Sequence, residues 1–191
     1  MKKILIATHN SAKAKEIKEI LPDLDLITLE DINCEMDVEE DQETFEGNSK
    51  KKAKEISEKT GYPCIADDTG LCIDAFDGWP GVHTARFLGP NAISEDKRKA
   101  VLEKMKNLKG EERKAEFKCV ATYYENGKYI IGKGEVVGRI AEYPRGNNGF
   151  GYDPIFELPD GKTYAELPDG EKNKISHRRK ALEDLKKKLD N

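Results

Sequence analysis

The stretch Cys64-Ile65-Ala66-Asp67-Asp68-Thr69-Gly70-Leu71-Cys72-Ile73 places two adjacent carboxylates between two short apolar runs. The residues from Cys64 to Ala66 have the composition of a short buried strand, and so do those from Leu71 to Ile73. We therefore expect an acidic turn between two strands. Adjacent carboxylates in a turn are most often solvated or serve as caps, but such a pair with buried flanks can also hold a divalent metal ion.

The segments before this turn indicate a βαβ opening. Ile4 to Ala7 is a continuous apolar run, as expected for a strand that is buried on both faces of a sheet. Ser11 can cap a helix that runs to about Leu21, where Pro22 stops it. The residues from Leu24 to Leu29 then read as a second strand.

The segments after it add helices and a hairpin. Asn126-Gly127 is a strong hairpin turn signal between two strand-like runs. This mixture of a βαβ unit with a hairpin predicts an α/β fold, with a central mixed sheet flanked by helices, in a single domain spanning residues 1–191. The hairpin strands are Phe117 to Tyr124 and Tyr129 to Val137, and the helices are Thr44 to about Gly61, Ser94 to Leu108 and one capped by Ser176.

Three predicted helices each carry one basic residue on their apolar face, because residues three or four positions apart share a face. A single long basic side chain at the edge of an apolar stripe often reaches solvent instead. Three of them near helix starts, where free N–H groups attract anions, favour a site for phosphate. The pairs are Lys13 with Ile17, Lys52 with Ile56, and Arg178 with Leu182.

Composition restricts the class of function. The formal net charge is −4, so a broadly basic surface for nucleic acid is missing and an RNA-binding protein is disfavoured. The four cysteines show no Cys-x-x-Cys spacing and there are only three histidines, so we expect neither a zinc site nor a redox pair. No apolar run approaches the ~18 residues that a membrane span needs, and we expect a cytoplasmic protein.

Two acidic segments have competing interpretations. Asp68-Thr69-Gly70 matches the short aspartic-protease signature, but a single copy would need a partner subunit and would leave the inward cations without a role. Glu39-Glu40-Asp41 could be a solvated run, yet it lies just before the helix of Lys52. A metal joining one of these acids to Asp68 would have oxygen ligands, which favours magnesium.

Six segments, taken in chain order, resemble one known family, the inosine/xanthosine triphosphate pyrophosphatases that remove non-standard purine nucleotides. They cover nearly the whole chain, and in this order they are very specific. They are Thr8-His9-Asn10-x-x-Lys13, Thr44-Phe45-Glu46-Gly47-Asn48-Ser49-x-x-Lys52-Ala53, Ala66-Asp67-Asp68-Thr69-Gly70-Leu71, Gly78-Trp79-Pro80-Gly81-Val82-x-Thr84-Ala85-Arg86-Phe87, Gly149-Phe150-Gly151-Tyr152-Asp153-Pro154-Ile155-Phe156, and Glu171-Lys172-Asn173-x-x-Ser176-His177-Arg178.

The resemblance implies an elongated α/β fold with two lobes around a nucleotide-binding cleft, and a homodimer. It implies magnesium-dependent hydrolysis of ITP, dITP and XTP to the monophosphate and pyrophosphate. Two other functions remain open: a nucleotide-binding sensor without catalysis, and a pyrophosphatase for other modified nucleotides.

The resemblance also implies roles for single residues. Asp68 matches the catalytic acid and acts there with Lys52, and Glu40 matches a metal-binding glutamate, so that magnesium is expected at Glu40 and Asp68. The neighbouring acids Glu39 and Asp41 leave the choice of Glu40 open. The implied substrate-binding positions are Thr8, His9, Asn10, Lys13, Thr69, Phe150, Gly151, Tyr152, Asp153, Lys172, His177 and Arg178.

Overall fold

The structure, a computed structural model, describes residues 2–89 and 91–190. Its α-helices are α1 (Ser11–Ile20), α2 (Phe45–Thr60), α3 (Ser94–Lys104), α4 (Asp169–Ile175) and α5 (His177–Leu189). Its strands are β1 (Ile4–Ile6), β2 (Leu26–Thr28), β3 (Cys64–Ile73), β4 (Trp79–Pro80), β5 (Lys114–Glu125), β6 (Lys128–Ile140) and β7 (Phe156–Glu157). No helix among the described residues is long and apolar enough to cross a membrane.

The strands of the described residues form one seven-stranded sheet in the order β2-β1-β3-β5-β6-β7, and β4 pairs with β3. β1 runs parallel to both β2 and β3, with Ile6 opposite Thr28 and Ile65. The β3/β4 and β6/β7 pairs are antiparallel. The predicted α/β fold with a mixed sheet is therefore confirmed.

The chain divides into two compact units. The first unit comprises the described residues of Met1–Thr69, Cys119–Gly134 and His177–Asn191, and the second unit comprises those of Gly70–Lys118 and Glu135–Ser176. The first packs α1, α5 and the inner strands through an apolar core, and the second packs α3 against an aromatic core. The single domain over residues 1–191 and the two lobes around a cleft stay predictions.

The expected acidic turn is wrong, because β3 runs without interruption from Cys64 to Ile73. One end of this strand pairs in parallel with β1 and the other pairs antiparallel with β4, so backbone ladders hold both halves extended. Adjacent residues of a strand point to opposite faces. Asp67 and Asp68 therefore face different surroundings although they are neighbours in sequence.

Several helix ends lie where the sequence predicted them, and others do not. Thr44 caps α2, since its hydroxyl accepts a hydrogen bond from Gly47 N at 3.0 Å, and Gly61 ends that helix at φ 77°. The cap of α1 is Asn10 instead of Ser11: its side-chain oxygen accepts from Ala12 N and Lys13 N. Ser11 is already the first helical residue.

The helix that begins at Ser94 ends at Lys104, four residues before the predicted Leu108. The guanidinium of Arg113 binds carbonyls just after the helix end, since it donates to Met105 O at 2.9 Å and Leu108 O at 3.1 Å. The sequence did not predict α4, whose residues Asp-Gly-Glu-Lys-Asn-Lys-Ile lack an apolar stripe. β2 is also shorter than the predicted Leu24–Leu29.

Two glycines of β6 let α5 approach the sheet closely. A Cβ atom at Gly134 would come within 3.0 Å of His177 O and Ala181 N, and one at Gly132 would meet Ala181 O and Leu185 N. All of these neighbours are backbone atoms of α5, which cannot move aside singly. This contact fixes the helix whose first turn carries His177 and Arg178.

We expect Gly134→Ala to lower the free energy of unfolding by about 1–3 kcal/mol, because the added methyl group pushes against the α5 backbone. Gly170→Ala in α4 is the matched control: nothing lies within 4 Å of the added atom, so the change should be at most about 1 kcal/mol, in favour of Ala. Urea unfolding followed by circular dichroism measures both. Equal stability of Gly134→Ala and the parent chain would contradict the close packing.

Candidate active site

Asp67 is the centre of a buried ionic cluster in the first unit. Only 1% of Asp67 is exposed. Its Oδ2 atom lies 3.1 Å from Lys13 Nζ and 3.2 Å from Arg178 Nη2, and it accepts a hydrogen bond from the Thr69 hydroxyl at 2.9 Å. Its Oδ1 atom is buried and has no hydrogen-bond partner among the described residues. Asp67 therefore gathers two cations onto one carboxylate oxygen.

These cations decide the charge of Asp67. Burial by itself would raise the pKa of this carboxyl, but Lys13, Arg178 and Lys52 outweigh it and hold the pKa well below the ordinary 3.8. A carboxylate with a lowered folded-state pKa contributes stability above its unfolded pKa, and this contribution is lost as the pH falls below that value. Asp67 is thus ionised at neutral pH.

Arg178 is buried between two carboxylates. It is 1% exposed, and its guanidinium pairs with Glu16 of α1 as well as with Asp67. Burial would lower its pKa, but Asp67 and Glu16 raise it above the ordinary value, so the group stays charged. The predicted inward face of Arg178 is confirmed, and the anions that it meets belong to the chain itself.

Asp68, on the other face of β3, lies in a different environment. Its Oδ2 accepts from Asn48 Nδ2 at 3.0 Å, and its Oδ1 accepts from Thr69 N at 3.0 Å. Burial raises the pKa of this carboxyl and so does the charge of Glu40, while Lys52 opposes them; the net direction is upward. A carboxylate whose pKa is raised is a stronger base than an ordinary one.

Lys52 interacts with both aspartates of β3. Its ammonium donates to Glu40 Oε1 and to the backbone oxygen of Asp67, each at 2.6 Å. Burial would lower its pKa, but Glu40, Asp67 and Asp68 raise it above 10.5, so the ammonium keeps its proton. The predicted inward face of Lys52 is confirmed.

The three acids before α2 differ in their contacts. Glu40 is half-buried and reaches Lys52, whereas Asp41 is exposed and pairs with Lys51, and Glu39 is exposed. Glu40 is therefore the acid of this run that lies at the Asp68 site. The loop is held there because Gln42 N donates to the side-chain oxygen of Asn48 at 3.0 Å.

The donor set at this point fits magnesium. Glu40 and Asp68 offer oxygen ligands, and the charge of Glu40 raises the pKa of Asp68, a repulsion that a cation would relieve. No group of three or more His, Cys, Asp or Glu side chains able to hold a metal occurs among the described residues. Magnesium suits such a site, since it commonly takes one or two carboxylates and completes its shell with water and substrate phosphate.

The predicted substrate segment from Thr8 to Lys13 surrounds the start of α1. Thr8 Oγ1 accepts from Asn10 N at 3.2 Å, and the Asn10 side chain is engaged in capping the helix. His9 Nε2 donates to Met36 O at 2.8 Å, which ties this segment to the loop before α2. Lys13 points inward to Asp67. The structure thus brings Thr8, Lys13, Lys52 and the two aspartates into one unit.

The second unit holds a separate group of predicted residues. Asp153 and Lys172 are 3% and 2% exposed, and Lys172 Nζ lies 2.7 Å from Asp153 Oδ2. The same oxygen accepts from Phe150 N at 2.8 Å, and Lys172 Nζ lies 4.6 Å from the centre of the Phe150 ring. The Tyr152 hydroxyl donates to Thr84 O at 2.8 Å. Burial raises the pKa of this phenol, so Tyr152 is neutral.

Sequence reasoning missed two polar residues of the first unit. Asn48 is fully buried and contacts both Asp68 and the backbone of Gln42. Glu16 is 8% exposed and pairs with Arg178. Helical spacing was the available signal: Asn48 lies four residues before Lys52, and Glu16 three residues after Lys13, so each shares the face of an inward cation.

The comparisons with known proteins agree over the full length. A family model described as the Ham1 family matches residues 4–188. A dITP/XTP pyrophosphatase of Bacillus subtilis is 44% identical, with 100% of this chain and 98% of that protein covered. One of Dictyoglomus thermophilum is 47% identical, with 98% and 94% covered.

Solved structures give the same result. A HAM1 protein from Coxiella burnetii has a TM-score of 0.89 at 42% identity, and 99% of this chain and 98% of that chain are covered. The Ham1 protein of Staphylococcus aureus has a TM-score of 0.87 at 38% identity, with the same coverage. At these identities both the backbone and the sequence are shared.

We expect Arg178→Met to lower the free energy of unfolding at pH 7 by about 3–5 kcal/mol, because it leaves Glu16 and Asp67 buried without their shared cation. Arg179→Met is the matched control: Arg179 pairs with Glu183 within one helix and is 32% exposed, so its loss should cost about 1 kcal/mol or less. Chemical denaturation measures both.

The pH dependence gives a second readout of the same change. Without Arg178 the pKa of Asp67 rises, so the stability that Asp67 contributes should be lost at a higher pH on acidification than in the parent chain. Denaturation midpoints between pH 7 and pH 3 follow this shift. Arg178→Met and Arg179→Met proteins with equal stability would contradict the buried cluster.

Proposed function

Because this chain belongs to the Ham1 family, we propose that it hydrolyses ITP, dITP and XTP to the nucleoside monophosphate and pyrophosphate. The names of its relatives support this substrate class. One observation in the structure carries the proposal: the half-buried ammonium of Lys52 donates to Glu40 Oε1 and to the backbone oxygen of Asp67, the residue next to Asp68. A protein that only binds nucleotide does not need a basic carboxylate, such as Asp68, close to a second acidic side chain, such as Glu40.

Asp68 is the general base of the proposed reaction. It accepts a proton from the water whose oxygen attacks the α-phosphorus; the bond from that phosphorus to the bridging oxygen breaks, and pyrophosphate leaves. Asn48 and Thr69 N hold the two oxygens of Asp68 in place. General-base assistance of this kind contributes about 10²–10⁴-fold to a rate.

The cations stabilise the charge of the triphosphate. Lys13 and Lys52 lie in the unit that holds Asp68, and we propose that they approach the phosphate oxygens. Phosphoryl transfer depends mainly on such positioning and charge stabilisation. Magnesium, which Glu40 and Asp68 would hold, supplies further neutralisation of phosphate charge when it is bound.

Arg178 has a supporting role in this proposal. Its charge is balanced by Glu16 and Asp67, so we assign it to holding Asp67 and, through that carboxylate, the ammonium of Lys13. A phosphate would have to compete with two buried carboxylates for the same guanidinium.

The base is recognised by the residues of the second unit in this proposal. Phe150 stacks on the purine, while Asp153, Lys172 and backbone groups match its edge. A 6-oxo purine presents an acceptor at position 6 and a donor at N1, the reverse of adenine. A site built for that pattern can reject the wrong base by up to about 10⁴-fold or more, because its own polar groups would be left unpaired.

Two further proposals rest on the family resemblance alone: the active form is a homodimer, and it works in the cytoplasm. Light scattering on the purified protein gives the mass directly. A monomer at micromolar concentration would overturn the first of them and leave the catalytic proposal intact.

The decisive experiment identifies products. With magnesium and dITP or XTP, we expect the monophosphate and pyrophosphate in equal amounts, and little from dATP. Asp68→Asn should lower kcat by about 10²–10⁴-fold with the fold intact by circular dichroism, because the amide cannot take the proton. Orthophosphate release, binding without turnover, or an Asp68→Asn protein of normal rate would each contradict the proposal.

We expect Glu40→Gln to raise the magnesium concentration needed for half-maximal rate by roughly 10-fold or more, because an oxygen donor with charge is lost. Glu39→Gln is the matched control, since Glu39 is the exposed neighbour in the same loop. Rate against magnesium concentration at fixed dITP measures both. Equal magnesium curves for the two variants would remove Glu40 from the metal site.

A further inference from the structure

The segment from Gly149 to Asp153 is folded tightly around the Asp153 carboxylate. Gly149 and Gly151 have φ angles of 71° and 63°, in the left-handed region that favours glycine. A Cβ atom at Gly149 would collide with Asp153 Oδ2. This arrangement lets Asp153 accept the hydrogen bond from Phe150 N at 2.8 Å. The bond fixes the backbone from which the Phe150 ring projects.

Two contacts from elsewhere in the second unit hold the segment from outside. The Tyr152 hydroxyl donates to Thr84 O at 2.8 Å. Arg98 Nη1 of α3 donates to Gly151 O at 2.7 Å. Gly151 directly follows Phe150 in the chain. Arg98 therefore restrains the backbone after Phe150, whereas Asp153 restrains the amide group of Phe150 itself.

Arg98 is well placed to act as a rigid support. It lies three residues before Val101, which is fully buried in the core of the second unit, and residues at this spacing share a helix face. A hydrogen bond from a guanidinium to a carbonyl is charge-assisted and stronger than a neutral one. None of the sequence motifs includes Arg98.

We infer that Arg98 is a positioning residue for the nucleobase: by fixing the Gly151 carbonyl it fixes the Phe150 ring. The inference rests on the proposed function, in which Phe150 stacks on the purine. Lys172 Nζ already lies over this ring at 4.6 Å, so the ring is restrained by its backbone and by a cation. A stacking group that is not held in place must be ordered when the base binds, and this ordering lowers the affinity.

Three substitutions separate the hydrogen bond from the charge. Arg98→Lys keeps both a donor and the charge, Arg98→Gln keeps only a donor, and Arg98→Met removes both. Lys99→Met is the matched control on the same helix: Lys99 pairs with Glu95 and its side chain is 69% exposed. Its kinetics should equal those of the parent chain.

For Arg98→Met we expect KM for dITP to rise about 5- to 20-fold with kcat within about twofold, together with weaker discrimination against dGTP. Arg98→Lys and Arg98→Gln should restore part of the loss. In a Phe150→Ala background the same substitution should add little, because its effect passes through the ring. An equal rise for every nucleotide that persists without Phe150 would indicate direct contact with phosphate, and would overturn the inference.

Hydrogen exchange in the nucleotide-free protein tests the support independently of turnover. Arg98→Met should speed exchange of the Phe150 amide, and Lys99→Met should not. If the parent chain fails to hydrolyse dITP and XTP, the proposed function fails while this measurement still decides whether Arg98 holds the segment. Unchanged exchange, or faster exchange with unchanged KM for dITP in an active enzyme, would refute the positioning role.

Discussion

The burial of one carboxylate, Asp67, organises the first unit. An isolated charge in a protein interior is strongly unfavourable, so this strand position requires cations from other elements. Lys13 comes from α1 and Arg178 from α5, and Glu16 balances the arginine in turn. The cluster therefore holds two helices to β3, the strand that also carries Asp68, the proposed general base.

The two aspartates of β3 show how one strand serves two purposes. The Oδ2 atom of Asp67 contacts two cations, and the pKa of this carboxyl is lowered. Burial and the charge of Glu40 both disfavour the ionised form of Asp68, and its pKa is raised. Because side chains alternate between the two faces of a strand, these environments are separate although the two residues are adjacent. A turn, as the sequence first suggested, would not impose this alternation of faces on the two carboxylates.

The sequence predicted the fold class, the hairpin and the inward faces of Lys13, Lys52 and Arg178, because periodicity and turn residues are local signals. It did not predict that β3 is continuous, since this depends on pairing with distant strands, nor α4, which lacks a stripe. For the candidate site, motif order indicated Asp68 and Glu40. The partners of the cations depend on tertiary contacts, and Asn48, Glu16 and Arg98 were therefore missed.

The contact between Arg178 and Asp67 joins positions 111 residues apart. During synthesis on the ribosome, Asp67 of β3 emerges long before Arg178 of α5, which pairs with it. Until α5 docks against glycines 132 and 134 of β6, Asp67 lacks one of its two close cations and has only Lys13. The first unit therefore reaches its full set of ionic contacts only through a pairing of high sequence separation, and such pairings are slow to form.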